Sequence, residues 1–318
     1  MAAAKMVTLL IPVYNEAAVL PQLIERLQKL IANAENSLKV LLVDDGSTDG
    51  SFSVINDLVA GNESYSALFL SRNFGHPIAI TAGLTEIGGS ADAVFIIDGD
   101  LQDPPELLPL FLKKMDEGFD VVYGIRKKRK EGFFKKCSYK LYYRLLKNFS
   151  TIAMPLDAGD FSLISKRVVQ QLNRMPEESR YVRGMRSWVG FNQAGIEYER
   201  DARYSGEPKY SMRSLFKLAF NGVFNFSEIP VRLIGFVGFI TVLLSLCYLA
   251  VTIFKKFVYG TVPEGFTALI FAIVLFSGVQ LLSLGIIGEY VLRIFFQVKQ
   301  RPLFIVKSKI VNGKPADE

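Results

Sequence analysis

The sequence AVFIIDGDLQDPP, residues 93–105, combines a short apolar run with acidic side chains that follow it directly. Residues 93–97 are typical of a buried strand, and the apolar run stops at Asp98. In an extended chain alternate side chains point to the same face, so Asp98 and Asp100 can reach one cation together. Mg²⁺ and Mn²⁺ favour carboxylate oxygens, and substrate phosphates usually complete such sites. The stretch therefore predicts a divalent metal site that binds a nucleotide diphosphate.

Strands and helices alternate on both sides of this stretch. The predicted strands are residues 7–13, 39–43, 67–70 and 93–97. The predicted helices are residues 17–32, 49–60, 79–87 and 105–117. Repeated strand–helix units up to residue 122 indicate an α/β domain with a Rossmann-like, mostly parallel sheet.

Acidic side chains follow several of the predicted strands. Glu16 follows the first strand, and Asp44 and Asp45 follow the second. Asp98 and Asp100 follow the fourth strand. The carboxyl ends of parallel strands meet at one edge of the sheet, where ligands bind. Any one of these acids could be a helix cap or a turn residue, but five acids at strand ends favour a shared site.

Three motifs resemble the signature of glycosyltransferase family 2. They are IPVYNE at 11–16, DDGSTD at 44–49 and DGDLQ at 98–102. The resemblance implies a GT-A fold, a nucleotide-sugar donor and inversion at the anomeric carbon. It implies that the nucleotide sugar is bound by Pro12, Tyr14, Glu16, Asp44, Asp45, Asp98 and Asp100. It further implies that the metal is bound by Asp98, Asp100 and Gln102.

Further motifs resemble a narrower group, the dolichyl-phosphate mannose synthases and the bacterial undecaprenyl-phosphate sugar transferases of the GtrB type. They are SRNFGH at 71–76, DLQDPPE at 100–106 and RYSGEPKY at 203–210, in which Pro208 stands where the group usually has Ser. The resemblance implies transfer of a hexose to a polyprenyl phosphate at the cytoplasmic membrane face, giving a lipid-linked monosaccharide. The predicted sugar is glucose, and the predicted donor is UDP-glucose.

A phosphate acceptor needs little general base, because a phosphate monoester is largely ionised at neutral pH. Asp157, in the sequence DAGDF, matches the base-like aspartate of the family and is the predicted catalytic residue, either as a base or as a group that orients the acceptor or the sugar. Asp160 is the second candidate, and either residue could instead belong to a turn. An anionic acceptor next to a diphosphate requires cations. The predicted acceptor-phosphate ligands are Arg126, Arg203 and Lys209.

Two stretches near the C-terminus carry no charge, residues 233–254 and 266–288. Each meets the length of about 20 apolar residues that a transmembrane helix requires. The predicted organisation is a cytoplasmic catalytic domain (1–210), an amphipathic interface helix or linker (211–230), a transmembrane helix (231–254), a short external loop (255–265), a second transmembrane helix (266–292) and a cytoplasmic tail (293–318).

The charge pattern indicates a membrane partner and not nucleic acid. The net charge is +6, and the basic residues gather at 126–147 and beside the apolar spans. Anionic lipid headgroups attract such clusters, and basic residues flanking membrane helices mark the cytoplasmic side of an inner membrane. With two cysteines and only His76 as histidine, neither a disulfide framework nor a histidine metal cluster can be built.

Aromatic and basic residues interleave at 132–149, and 211–226 has similar character. Such segments suit interfacial helices that would bring the site to the membrane surface, although their rings could instead pack on the domain core. Residues 302–311 alternate like a strand that could pair with a neighbouring subunit, which favours a homo-oligomer.

Two alternatives remain open from the sequence. A processive polysaccharide synthase would need more than two spans for a polymer channel, and Arg183 replaces the Gln of the motif that such synthases carry. An inactive membrane scaffold could keep the fold without activity. The intact set of Asp98, Asp100, Gln102 and Asp157 disfavours it.

Overall fold

The computed structural model describes residues 4–126, 158–178, 180–199, 229–260 and 265–316. The chain divides into two units. The first comprises residues 1–148, 152–218 and 302–318, and the second comprises residues 149–151 and 219–301.

The first unit is an α/β domain, as the sequence predicts. Its strands are β1 (Met6–Val13), β2 (Ser37–Asp44), β3 (Tyr65–Leu70), β4 (Ala93–Ile96), β5 (Val121–Arg126), β6 (Ala158–Ser165), β7 (Gln193–Tyr198), β8 (Val306–Val311) and β9 (Lys314–Ala316). Its helices are α1 (Leu20–Ala32), α2 (Ser51–Val59), α3 (His76–Ile87), a 3-10 turn (Pro105–Leu107), α4 (Leu108–Asp116), α5 (Lys166–Arg174) and α6 (Val182–Trp188).

The described strands form one sheet in the order β7-β5-β6-β4-β1-β2-β3-β8-β9. Strands β4, β1, β2 and β3 run parallel, whereas β6 runs antiparallel to both β4 and β5. Helices α1, α2 and α4 pack on one face, and α3, α5 and α6 cover the other. Burial on both faces explains why β1 is apolar almost throughout, without the alternation of a half-exposed strand. The carboxyl ends of β1, β2 and β4 therefore share one edge.

The C-terminal strand forms, but its partner differs from the prediction. Strand β8 pairs antiparallel with β3 of the same chain, and β9 pairs with β8. Ile310 of β8 is buried in the core of the domain. A continuous apolar core under β3 explains why the strand completes its own sheet and not that of a neighbouring subunit.

The second unit contains α7 (Ile229–Tyr259) and α8 (Phe266–Lys299), each long and apolar enough to cross a membrane. Helix α7 continues past residue 254 through two lysines and ends before Gly260, whose φ of 64° is left-handed. Helix α8 likewise continues past residue 292. Neither predicted helix end has a glycine or a proline next to it, so the backbone hydrogen bonds of each helix continue beyond it. The predicted interfacial segments 132–149 and 211–226 lie outside the described residues.

Candidate active site

The turn after β4 carries Asp98 and Asp100. Gly99 lies against the end of β1, where a Cβ atom would come within 3.1 Å of the Pro12 carbonyl oxygen. Leu101 is buried and left-handed, with a φ of 59°, and the Asp100 carboxylate accepts a hydrogen bond from the Gln102 N–H at 3.2 Å. The turn thus has a fixed conformation that places two half-buried carboxylates at the edge of the sheet.

Asp44 and Asp45 end β2 and are almost fully buried, at 3% and 2% exposure. The Asp45 carboxylate accepts hydrogen bonds from the N–H groups of Phe74 and Gly75 at 2.8 and 2.9 Å. Burial raises the pKa of Asp44 and of Asp45, because the neutral donors that bind them, Ser47 for Asp44 and the two N–H groups for Asp45, only partly offset the lost hydration. The β2 end is therefore tied to the loop after β3.

The loop after β1 docks on the start of α2. The Asn15 N–H donates to the Ser47 hydroxyl at 2.9 Å, and the Thr48 N–H donates to the Asn15 side chain at 2.8 Å. The Glu16 N–H donates to the Ser51 hydroxyl at 3.0 Å. The motifs at 11–16 and 44–49 thus form one corner at the ends of β1 and β2. The exposed ring of Tyr14 lies beside this corner.

A charged network links two halves of the sheet. The parallel half comprises β1 to β4, and the antiparallel half comprises β5, β6 and β7, in which β6 runs opposite to its neighbours. His76 Nε2 lies 3.0 Å from Asp98 Oδ1, and His76 Nδ1 lies 3.9 Å from Asp160 Oδ2. Burial alone would lower the pKa of His76, but the two carboxylates raise it to about 9. The imidazole is therefore a cation at neutral pH that joins β4 to β6.

Arg183 of α6 completes this network. Its Nε and Nη2 atoms donate to the two Asp160 carboxylate oxygens at 3.0 and 2.8 Å. Burial would raise the pKa of Asp160, but Arg183 and His76 lower it below its ordinary value. Asp160 is thus held as a buried anion by a bidentate guanidinium.

Arg186, one turn further along α6, is 2% exposed. It donates to the Gly159 carbonyl oxygen at 3.2 Å, and its guanidinium lies 5.6 Å from the ring centroid of Tyr123. Among the described residues, its Nε atom has no hydrogen-bond partner. Burial lowers the pKa of Arg186 to about 10. Arg186 is therefore a buried guanidinium held by a backbone carbonyl and an aromatic ring.

Arg126 ends β5, next to the same edge. Its Nε atom donates to the Tyr198 hydroxyl at 3.4 Å, and that hydroxyl donates to the buried Asp103. Burial would lower the pKa of Arg126, but the charge of Asp103, the hydrogen bond to Tyr198 and the charge of Asp98 raise it. A residue larger than glycine at 159 would press on the guanidinium, since a Cβ atom there would lie 2.9 Å from Arg126 Nη2.

The predicted site residues of the parallel strands thus lie at or directly after the ends of β1, β2 and β4, and Arg126 ends β5 at the same edge of the sheet. Asp157, Arg203 and Lys209 lie outside the described residues. The sequence did not identify the ion-pair role of Arg183 or the buried Arg186. Their spacing of three on an α-helix was the available signal, but it does not reveal the partner on β6. In the described ranges, no three His, Cys, Asp or Glu side chains are grouped to hold a metal ion.

Comparison with known proteins gives consistent matches. The family model described as glycosyl transferase family 2 matches residues 8–172. YkcC, an uncharacterized glycosyltransferase of Bacillus subtilis, is 40% identical over 94% of this chain and 93% of its own length. A prophage-derived bactoprenol glucosyl transferase of Shigella flexneri is 34% identical over 97% of this chain and 99% of its own length. The similarity therefore also covers the two long helices.

Proposed function

The chain belongs to glycosyl transferase family 2, and we propose that it transfers glucose from UDP-glucose to a polyprenyl phosphate at the cytoplasmic face of the membrane. The observation that carries the proposal is the meeting of the β1, β2 and β4 ends, with their acids, at one edge of the sheet. The bactoprenol glucosyl transferase of Shigella flexneri, similar over nearly its whole length, supports the lipid acceptor and the sugar.

The nucleoside would bind in the corner formed by the ends of β1 and β2. Tyr14 offers an exposed ring for the base, and Asp44 and Asp45 are acceptors held in place by the loops around them. Pro12 and Glu16 flank the same corner. Fixed acceptors favour a base with N–H donors, as uracil has.

Asp98 and Asp100, with the Gln102 amide, would hold a divalent cation. Two hard carboxylates on one fixed turn fit Mg²⁺ or Mn²⁺, whose other ligands are supplied by water and substrate phosphates. When bound, such a cation supplies charge neutralisation for the departing diphosphate. His76 limits where the Asp98 carboxylate can point, because the two side chains are ion-paired.

In the reaction, an oxygen of the lipid phosphate attacks the anomeric carbon of the sugar while the bond to UDP breaks. One displacement gives inversion, with UDP as the leaving group. The acceptor is already ionised, so positioning matters more than proton removal. Arg126 would bind its phosphate with Arg203 and Lys209, and Asp157 would orient it.

We further propose residues 1–210 as the cytoplasmic catalytic domain, residues 211–230 as an interface segment and the two long helices as the anchor in the inner membrane. Helices of this length and composition support the anchor. A homo-oligomer stays a prediction from the sequence, although the strand that suggested it pairs with β3 of its own chain.

The test is transfer of label from UDP-[¹⁴C]glucose to undecaprenyl phosphate by the full-length protein in membranes, with extraction of the lipid product. Asp100→Ala should lower the rate at least ~100-fold, because it removes a proposed ligand of the cation that neutralises the departing diphosphate. EDTA should abolish transfer, and Mg²⁺ or Mn²⁺ should restore it.

Asp57→Ala is the matched control, because Asp57 is an exposed acid on α2 away from the strand ends. It should keep the wild-type rate. Label in polymer would instead indicate a processive synthase. Absence of label with every nucleotide sugar would indicate a scaffold, and full activity of Asp100→Ala would refute the assigned site.

A further inference from the structure

The β8–β9 hairpin follows the second long helix in sequence and pairs with residues 67–70 of β3. Ala67 faces Ile310, and Phe69 faces Ser308 in the antiparallel register. The turn of the hairpin is also fixed, because the Gly61 N–H donates to the Gly313 carbonyl oxygen at 3.0 Å. A Cβ atom on Gly313 would lie 2.7 Å from the Asn62 nitrogen. The hairpin is therefore an integral part of the catalytic unit.

The start of the hairpin supports the loop that holds Asp45. The Ser71 N–H, directly after β3, donates to the Ile305 carbonyl oxygen at 2.9 Å. Three residues later the same loop supplies the Phe74 and Gly75 N–H groups that bind the Asp45 carboxylate. The nucleoside corner is thus connected by hydrogen bonds to the segment that follows the membrane helices.

A bulge in β8 determines where its lysines point. The register changes from Phe69 opposite Ser308 to Leu70 opposite Val306, which makes Lys307 the extra residue. Without a bulge, residues 307 and 309 would lie on the same face of the sheet. Instead, Lys307 Nζ lies 5.6 Å from the Phe52 ring on α2, whereas Lys309 Nζ lies 3.6 Å from Glu86 on α3. The bulge brings one exposed cation to the face that carries the start of α2.

That position is next to the end of β2, where Asp44 lies opposite Phe69 in the sheet. Phe52 packs against Phe69 with ring centroids 4.6 Å apart, and it lies one residue after Ser51, which binds the Glu16 N–H. Burial raises the pKa of Asp44, and the positive charge of Lys307 opposes that increase. Among the described residues, no arginine or lysine forms an ion pair with Asp44, and Lys307 is a cation whose charge favours the ionised form of this carboxylate.

We propose that Lys307, aimed by the β8 bulge, is a positioning residue of the donor site that acts through Asp44 on the nucleoside of the donor. This inference rests on the proposed function, since it assumes a UDP-sugar in the corner between β1 and β2. It gives the C-terminal hairpin a role in donor binding that is separate from membrane anchoring.

The experiment compares three variants of the full-length protein in detergent with Mg²⁺ present. UDP binding is measured by calorimetry, and KM is measured separately for UDP-glucose and for undecaprenyl phosphate. Lys307→Met keeps an unbranched apolar side chain at this position and removes the ammonium charge, including its approach to the Phe52 ring. It should weaken UDP binding by about two- to fivefold, the range of exposed charge interactions, and leave the lipid KM unchanged.

Lys309→Met is the matched control, because it removes the same charge from the same strand on the other face. It should bind UDP like the wild type, and Lys307→Arg should restore the affinity that Lys307→Met loses. Equal UDP affinity of Lys307→Met and the wild type would overturn the inference, as would an equal loss in both methionine variants. If the wild type itself does not bind UDP, the proposed donor is wrong and the inference falls with it.

Discussion

The two halves of the sheet hold their buried acids in different ways. In the parallel half, Asp45 is bound by the backbone N–H groups of Phe74 and Gly75. In the antiparallel half, Asp160 is bound by the guanidinium of Arg183 and faces His76. The pKa of Asp45 is raised by burial, whereas the pKa of Asp160 is lowered by its cations.

The two acids are thus held in position by different interactions, backbone hydrogen bonds for Asp45 and an ion pair for Asp160. Backbone hydrogen bonds at the β2 end depend on loop conformation and involve no formal counter-charge, so a nucleotide can bind there without breaking an ion pair. An ion pair under α6 depends on charge balance, because either partner left alone would be a buried charge. We therefore expect substitutions in the antiparallel half to act mainly on stability and those in the parallel half mainly on donor binding.

The largest effect is expected from Arg183→Met. The substitution leaves Asp160 buried without its bidentate partner, which should destabilise the protein by about 3–5 kcal/mol. The measurement is the thermal unfolding midpoint of the full-length protein in detergent at one fixed heating rate, because membrane proteins often unfold irreversibly.

The double variant Asp160→Asn/Arg183→Met tests the cause. It removes both charges of the pair, so its midpoint should lie above that of Arg183→Met alone. If the double variant is no more stable than the single one, then packing and not charge balance explains the loss. A midpoint for Arg183→Met close to that of the wild type would contradict the account of this half altogether.

A smaller effect is expected from Gly46→Ala in the parallel half. Gly46 has a φ of 66°, and a Cβ atom there would lie 2.4 Å from the Arg72 carbonyl carbon. Alanine should therefore cost about 1–3 kcal/mol and push the 71–75 loop away from Asp45. UDP affinity should fall along with the unfolding midpoint.

Gly61→Ala is the control for backbone strain. Gly61 has a φ of 74°, but a Cβ atom there would meet nothing within 4 Å. It should lower the midpoint by less than Gly46→Ala and leave UDP affinity unchanged. Equal UDP affinity in the two variants would show that the contact between Gly46 and Arg72 does not shape the nucleoside corner.

The parallel half was largely predictable from the sequence, and the antiparallel half was not. Each strand and helix before residue 122 has a local apolar pattern, and parallel order brings the motif acids together without knowledge of any side-chain contact. The pairing of Asp160 with Arg183 depends on how α6 packs against β6, which no local pattern encodes. The return of β8 to β3 is a contact between distant segments, and alternation alone predicts a strand without naming its partner.

The smallest effect concerns acid stability. Because the pKa of Asp160 is lowered in the folded protein, the ionised carboxylate contributes stability above its unfolded pKa of about 3.9. That contribution is lost as the pH falls from about 4 through the lowered pKa that Asp160 has in the folded protein. The wild type should therefore lose more of its unfolding midpoint between about pH 5 and pH 3 than Asp160→Asn/Arg183→Met, which lacks the titrating group. All other acids are common to both proteins, so the difference between their pH profiles reports on the Asp160–Arg183 pair and on the groups that it contacts. Parallel profiles would mean that the Arg183 pair does not lower the pKa of Asp160, and the contrast with Asp45 would then lose its electrostatic basis.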